Sequence, residues 1–255
     1  MLEITVITAF PRLFVGPLDE GMIRVAREKG RLRVHVADLR DHSDDAHRTV
    51  DDAPYGGGAG MVLKPEPVWR AMEALRGQGR AFDEIVHLTP QGRPYTQRDA
   101  EELSRKKSIA LLSGRYKGVD ERIVESLVTR EISIGDYVLS GGEFAALVVI
   151  DSLARLLPGV LQTVDSAESD SFATGLLDGA YYTRPEEYAG RRVPAVLLSG
   201  NHEGIRRHRR RETLERTWRR RPELFRDVTL DEDDRKVLIE LARQDWAGPR
   251  RRRDA

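Results

Sequence analysis

Apolar residues in the first two-thirds of the chain switch between two spacings. Short stretches of apolar or alternating apolar and polar residues at 4–7, 32–37, 85–88, 109–112 and 131–134 predict strands. Between them the apolar positions recur every three or four residues, which predicts helices. Phe14, Leu18, Met22, Val25 and Ala26 share one helical face, as do Val68, Met72 and Leu75 after the Pro65/Pro67 punctuation. Thr96 with Asp99 spells a capping box that opens a helix running to Lys106. Asp120, Ile123, Val124 and Leu127 predict a further helix, and 142–157 a long, almost all-apolar one. The third strand is expected to end at Thr89-Pro90 and the fourth at Ser113-Gly114.

Strands that alternate with helices imply an α/β fold, a mostly parallel sheet covered on both faces. Ligands in such sheets bind in the loops that follow the carboxyl ends of strands. Three loops marked by glycine or proline lie there, at 89–92, 113–116 and 135–142. After Pro158 the pattern changes. Residues 163–174 are rich in small and acidic side chains and read as a linker. A short apolar run, Val196-Leu197-Leu198, is followed by a helix expected from Asn201 to Arg221 and stopped by Pro222. Asp231 can cap a last helix through Arg243, and 248–255 reads as a frayed tail. The organisation is an α/β domain over 1–161, a linker over 162–175 and a helical domain over 176–255.

Composition narrows the chemistry. The chain has 255 residues and no cysteine, which excludes disulfides, thiolate metal sites and cysteine nucleophiles and points to a reducing, cytoplasmic setting. The first ten residues, interrupted by Glu3, do not read as a signal peptide, and Asp151, Arg155 and Pro158 break the longest apolar stretch. The formal net charge is zero, but it is unevenly spread. Asp41, Asp44, Asp45, Asp51 and Asp52 cluster early; Arg206, Arg207, Arg209, Arg210, Arg211, Arg216, Arg219, Arg220 and Arg221 cluster late. That basic stripe reads equally as a phosphate-binding face or as a solvated helix.

Two glycine-rich stretches stand out. Tyr55 to Met61 matches neither a Walker loop nor a dinucleotide fingerprint and reads as a flexible turn. Ile134 to Glu143 lies between a strand and a buried helix, with more glycine than a connector needs. Its backbone could meet an adenine edge while Leu139 covers the face. Asp170 sits in the linker, where a carboxylate is ordinarily just solvated. The histidines show no metal-ligand spacing.

These segments together resemble the bacterial tRNA (guanine-N1)-methyltransferases of the TrmD type. The resemblance is carried in family order by His47 to Asp52 with Pro54 to Met61, Pro90-Gln91-Gly92-Arg93, Gly114-Arg115-Tyr116, Ser133 to Glu143, Asp151-Ser152 with Arg155, Asp170-Ser171-Phe172, Tyr182 to Glu186 and Val196 to His202. It implies a SPOUT-type catalytic domain with a C-terminal trefoil knot, plus a small α-helical C-terminal domain that grips the tRNA anticodon arm. It implies a homodimer and S-adenosylmethionine bound by His87, Leu88, Thr89, Pro90, Gly114, Tyr116, Ser133, Ile134, Gly135, Tyr137, Leu139, Gly141 and Gly142. The catalytic pair it implies is Arg155 with Asp170, the latter reaching the site from the partner subunit. The family's association with Mg²⁺ adds that ion to the expected cofactors, without a protein cage for it. Lys117 departs from the family, which commonly carries an acidic residue there; its side chain is expected to point outward, away from a cationic cofactor. The expected reaction is methylation of guanine 37 at N1. A non-catalytic RNA-binding module and a ribose 2′-O-methyltransferase are the competing readings.

Overall fold

The computed structural model describes residues 1–161 and 170–247. The chain divides into two compact units, Met1–Thr163 and Val164–Ala255.

In the first unit, strands β1 (Leu2–Thr8), β2 (Leu32–Asp38), β5 (Glu84–Pro94), β6 (Ser108–Ser113) and β7 (Arg130–Ser133) form a five-stranded sheet in the order β2-β1-β6-β5-β7. All its pairings are parallel. β3 (Asp51–Asp52) and β4 (Val62–Leu63) make a small antiparallel pair beside it. Parallel strands need crossovers, and the helices that supply them cover both faces. Ile109 and Leu111 of β6 point to one face, where they pack with α1 (Gly21–Glu28), α3 (Gln97–Ser104) and α5 (Glu143–Ala154). Ala110 and Leu112 point to the other, against α2 (Pro65–Gly77) and α4 (Glu121–Leu127). The period of two in a run that is apolar throughout is what a strand buried on both faces requires.

Local signals set the helix starts. Thr96 and Asp99 form the expected capping box, and the Asp120 side chain accepts from Arg122 N–H at the start of α4. Two expectations fail for identifiable reasons. The helical face drawn from Phe14 to Ala26 is not one helix: two 3-10 turns, Pro11–Phe14 and Pro17–Asp19, precede α1. Gly16 has φ +94° and Pro17 lacks an N–H, so no helix runs through them. The strand expected to stop at Thr89-Pro90 continues to Pro94, pairing with Ile132 at both Leu88 and Arg93. Residues between them bulge away from β7, which accommodates Pro90 without a ladder bond. On the return, Gly92 lies so close to β7 that a Cβ there would fall 2.3 Å from Ile132 N.

The second unit has less sheet. A hairpin of β8 (Glu187–Tyr188) and β9 (Arg191–Arg192) precedes the short helix α6 (Ala195–Leu198). Helices α7 (His202–Arg220) and α8 (Glu232–Ala247) follow, separated by a 3-10 turn from Pro222. Asn201 caps α7 through Gly204 N–H, and Asp231 accepts from Asp234 N–H in the first turn of α8. Leu214 and Leu241 are buried in this unit. Most of the expected linker, 162–169, and the expected frayed tail, 248–255, lie outside the described residues. Among the described residues no helix is long and apolar enough to cross a membrane.

Candidate active site

Because β5, β6 and β7 are parallel neighbours, the loops at their carboxyl ends emerge on one edge of the sheet. They enclose a cleft with about 720 Å³ of space, its open mouth included. From the β5 end come His87, Leu88, Thr89 and Pro90; from the β6 end, Gly114 and Tyr116; from the β7 end, Ser133, Ile134, Gly135, Tyr137, Leu139, Gly141 and Gly142. All the loop residues singled out from the sequence therefore line one cavity. Gln91, Arg115, Lys117, Gly118, Val138 and Ser140 line it as well.

Hydrogen bonds hold the walls in shape. Ser133 Oγ accepts from Gly135 N–H at 3.2 Å and lies 3.1 Å from Gly135 O, closing a tight turn after β7. Tyr137 OH donates to Ile134 O at 3.3 Å. Its ring folds over Gly135, where φ is +149° and a Cβ would come within 2.5 Å of Tyr137 Cε1, so only glycine fits. Gly142 N–H donates to Gly114 O at 2.8 Å and ties the two larger loops together.

The lining mixes apolar side chains with the backbone of a glycine-rich loop. Leu139 and Tyr137 offer exposed apolar and aromatic surface, while Ile134, Pro90 and Ala145 complete an apolar slot. Ser133, Ser140, Gly141 and Gly142 belong to the same lining, so polar and backbone-rich positions stand beside the apolar ones, as in small-molecule sites. His87 is 4% exposed. Its Nδ1 lies 3.2 Å from Glu131 Oε1, and burial pushes its pKa below the usual histidine value, with Glu131 opposing. Nε2 is buried without a hydrogen-bond partner, against Gly114. Lys117 is exposed and its aliphatic stem lies along Gly60 of the glycine-rich loop, so that loop has a packing partner.

The remaining predicted residues are not in the cleft lining. Arg155 is half-buried directly after α5, its N–H directed at Asp151 O. Asp170 is half-buried in the second unit, and its carbonyl accepts from Ala173 N–H at 3.1 Å.

Residues 2–227 match the family described as tRNA (Guanine-1)-methyltransferase TrmD. The chain belongs to the TrmD family. A Moorella thermoacetica relative named tRNA (guanine-N(1)-)-methyltransferase is 51% identical over 245 residues, 96% of this chain and 98% of the relative. Relatives with that name from Anoxybacillus flavithermus and Desulforamulus reducens are 50% and 48% identical, covering 93% and 94% of this chain and 97% and 95% of the relatives.

Two features of this TrmD-family chain escaped the sequence reading. Glu143 is buried behind the cleft with Thr8, Phe10 and Arg115 around it. The available signal was a lone acidic residue opening a helix whose next seven positions are apolar. The second is that the arginine stripe of α7 is not uniform. Arg210 grips the buried Asp234, and Arg211 pairs with Glu240 of α8. Arg206 and Arg207 share the exposed Glu203 and remain open to solvent. Among the described residues no three His, Asp or Glu side chains come together as a metal site.

Proposed function

We propose that this chain transfers a methyl group from S-adenosylmethionine to N1 of guanine 37 in tRNA, next to the anticodon, acting in the cytoplasm as a homodimer. The observation that carries the reading is the single cleft at the ends of β5, β6 and β7, lined by all the loop residues expected to hold the cofactor, in a TrmD-family chain. The five-stranded parallel sheet with helices on both faces is consistent with a SPOUT-type domain, and the knot in this reading rests on the family membership. Phe144 and Val148 remain 51% and 47% exposed on α5, an otherwise buried apolar helix, which supports a second copy as their cover.

Held in the cleft, S-adenosylmethionine would supply an electrophilic methyl group; its S–CH₃ bond breaks as the N1–CH₃ bond forms, and neutral S-adenosylhomocysteine leaves. The protein's task is to make guanine N1 a nucleophile. N1 carries a proton, and Asp170, reaching the cleft from the second copy of the chain, takes it as general base. Negative charge then develops toward O6, where the Arg155 guanidinium donates hydrogen bonds and stabilises it. The guanine leaves its stack to reach the cleft, which costs least for a loop nucleotide. The exposed arginines of α7 hold the anticodon arm through its phosphates. The chemistry itself requires no metal; Mg²⁺ would enter this reading through the RNA or the Asp170 carboxylate.

The test is a methyl-transfer assay on two tRNAs that differ only in having guanine or adenine at position 37, followed by nucleoside analysis. Methylated N1 of guanine with the first substrate and none with the second is expected. Methyl groups on ribose hydroxyls, or equal transfer to both tRNAs, would overturn the assignment.

A further inference from the structure

Glu143 opens α5 and is completely buried. Its Oε1 accepts from Thr8 Oγ1 at 2.8 Å, at the end of β1. Arg115 Nε lies 3.4 Å from Oε1 and 3.3 Å from Oε2. The Arg115 guanidinium sits over the Phe10 ring, 3.8 Å from its centroid, and Phe10 N–H donates to Thr8 Oγ1 at 2.9 Å. One carboxylate thus binds the end of β1, the loop after β6 and the helix that follows the loop after β7. Arg115 and Gly141 also meet as an isolated antiparallel bridge.

Gly141 shows how tight the cluster is. A Cβ there would fall 2.3 Å from Glu143 Oε2 and 2.7 Å from Arg115 Cγ. The glycine is needed because the chain passes directly over the ion pair. Glu143 is not part of the cleft lining, but Arg115, Gly141 and Gly142 are. A buried carboxylate is costly unless its hydrogen bonds are made, so this cluster has one favourable arrangement, and that arrangement fixes the gap between the two loops.

We propose that Glu143 is a positioning residue: acting through Arg115 and Thr8, it clamps the two loop walls and sets the affinity of the cleft for an adenosine-bearing ligand. This rests on the reading of the cleft as the S-adenosylmethionine site. The interaction is tested with full-length protein by calorimetric titration with S-adenosylhomocysteine, for wild type, Glu143→Gln, Arg115→Gln and the double variant. Hydrogen exchange of the same proteins is followed in parallel.

Loss of a hydrogen bond to a charged group should weaken binding by about tenfold or more in each single variant. The double variant should be no worse than about twofold beyond the weaker single, because both remove one interaction. Exchange should quicken in 114–118 and 135–141 while the strands stay protected, which a merely destabilised fold would not give. Wild-type affinity in Glu143→Gln, effects that multiply in the double variant, or lost protection throughout the sheet each overturn the proposal. Failure of the wild-type chain to bind S-adenosylhomocysteine overturns the cofactor reading itself, and this inference with it.

Discussion

Arg210 belongs by sequence to a stripe suited to RNA, yet its surroundings make it a fastener of the second unit. Nε donates to Asp234 Oδ1 at 2.8 Å and Nη2 to Oδ2 at 2.5 Å, a two-pronged contact between α7 and α8. The Asp234 side chain is 3% exposed and that of Arg210 39%. Arg210→Ala leaves a buried carboxylate without its cation. Breaking a buried pair costs about 3–5 kcal/mol, and the solvent reach of Arg210 reduces this to about 2–3 kcal/mol. For a unit of this size ~1 kcal/mol moves the midpoint by about 4–8 °C, so its unfolding should fall by about 10–20 °C. Tryptophan fluorescence reads the event, because Trp218 and Trp246 lie in the second unit and only Trp69 in the first. The pH dependence has a definite sign. The hydrogen-bonded Arg210 holds the Asp234 carboxyl below the usual aspartate value. The pair therefore stabilises fully above that usual value and loses its contribution as pH falls through the lowered one. Wild type and variant should converge in acid. A midpoint shift under about 2 °C at neutral pH would refute the argument, since it would mean that Asp234 needs no partner.

On the proposed mechanism Asp170→Asn keeps size and shape but removes the general base, so single-turnover methylation should drop by about 10²–10⁴-fold while cofactor affinity stays put, with partial recovery at high pH. A near-wild-type rate at neutral pH would send the search for a base elsewhere. Replacing Arg206, Arg207 and Arg220 together with glutamine spares the Arg210 contact; it should weaken tRNA binding and flatten its salt dependence by about 0.7–0.9 per lost phosphate contact. An unaltered slope in a filter-binding titration would return that face of α7 to solvent. Light scattering at micromolar concentration should give a dimer for the wild type and a monomer for Phe144→Glu with Val148→Lys; an active wild-type monomer would exclude the second copy as the cover of α5.

Much of the α/β unit was legible in local spacing. The five strands of the sheet were placed within two residues of their observed starts; the inner strands β1, β6 and β5 are nearly unbroken apolar runs, as burial on both faces requires, while the edge strands β2 and β7 alternate apolar and polar residues. The capping signals at Thr96 and Asp231 marked helix starts, since a cap is a contact between residues only a few positions apart. Where spacing misled, a local breaker was overlooked, as at Gly16-Pro17, or a distant pairing outweighed a local signal, as where β7 holds β5 beyond Pro90. The cleft residues were named from a family resemblance; periodicity alone marked only the loops in which they lie.

Sequence by itself determined most of the strands and helices and which loops could hold a ligand, because side-chain period and backbone-breaking residues act over a handful of positions. Only the tertiary structure decided which charges are tools and which are fasteners. Glu143 meets Thr8 across 135 positions of sequence, and Arg210 meets Asp234 across 24. The apolar run after Glu143 signals burial but not its partner, and no local pattern separates Arg210 from the solvated arginines beside it. A charge's role follows from what folding buries beside it, where the loss of water makes each missing or present partner count.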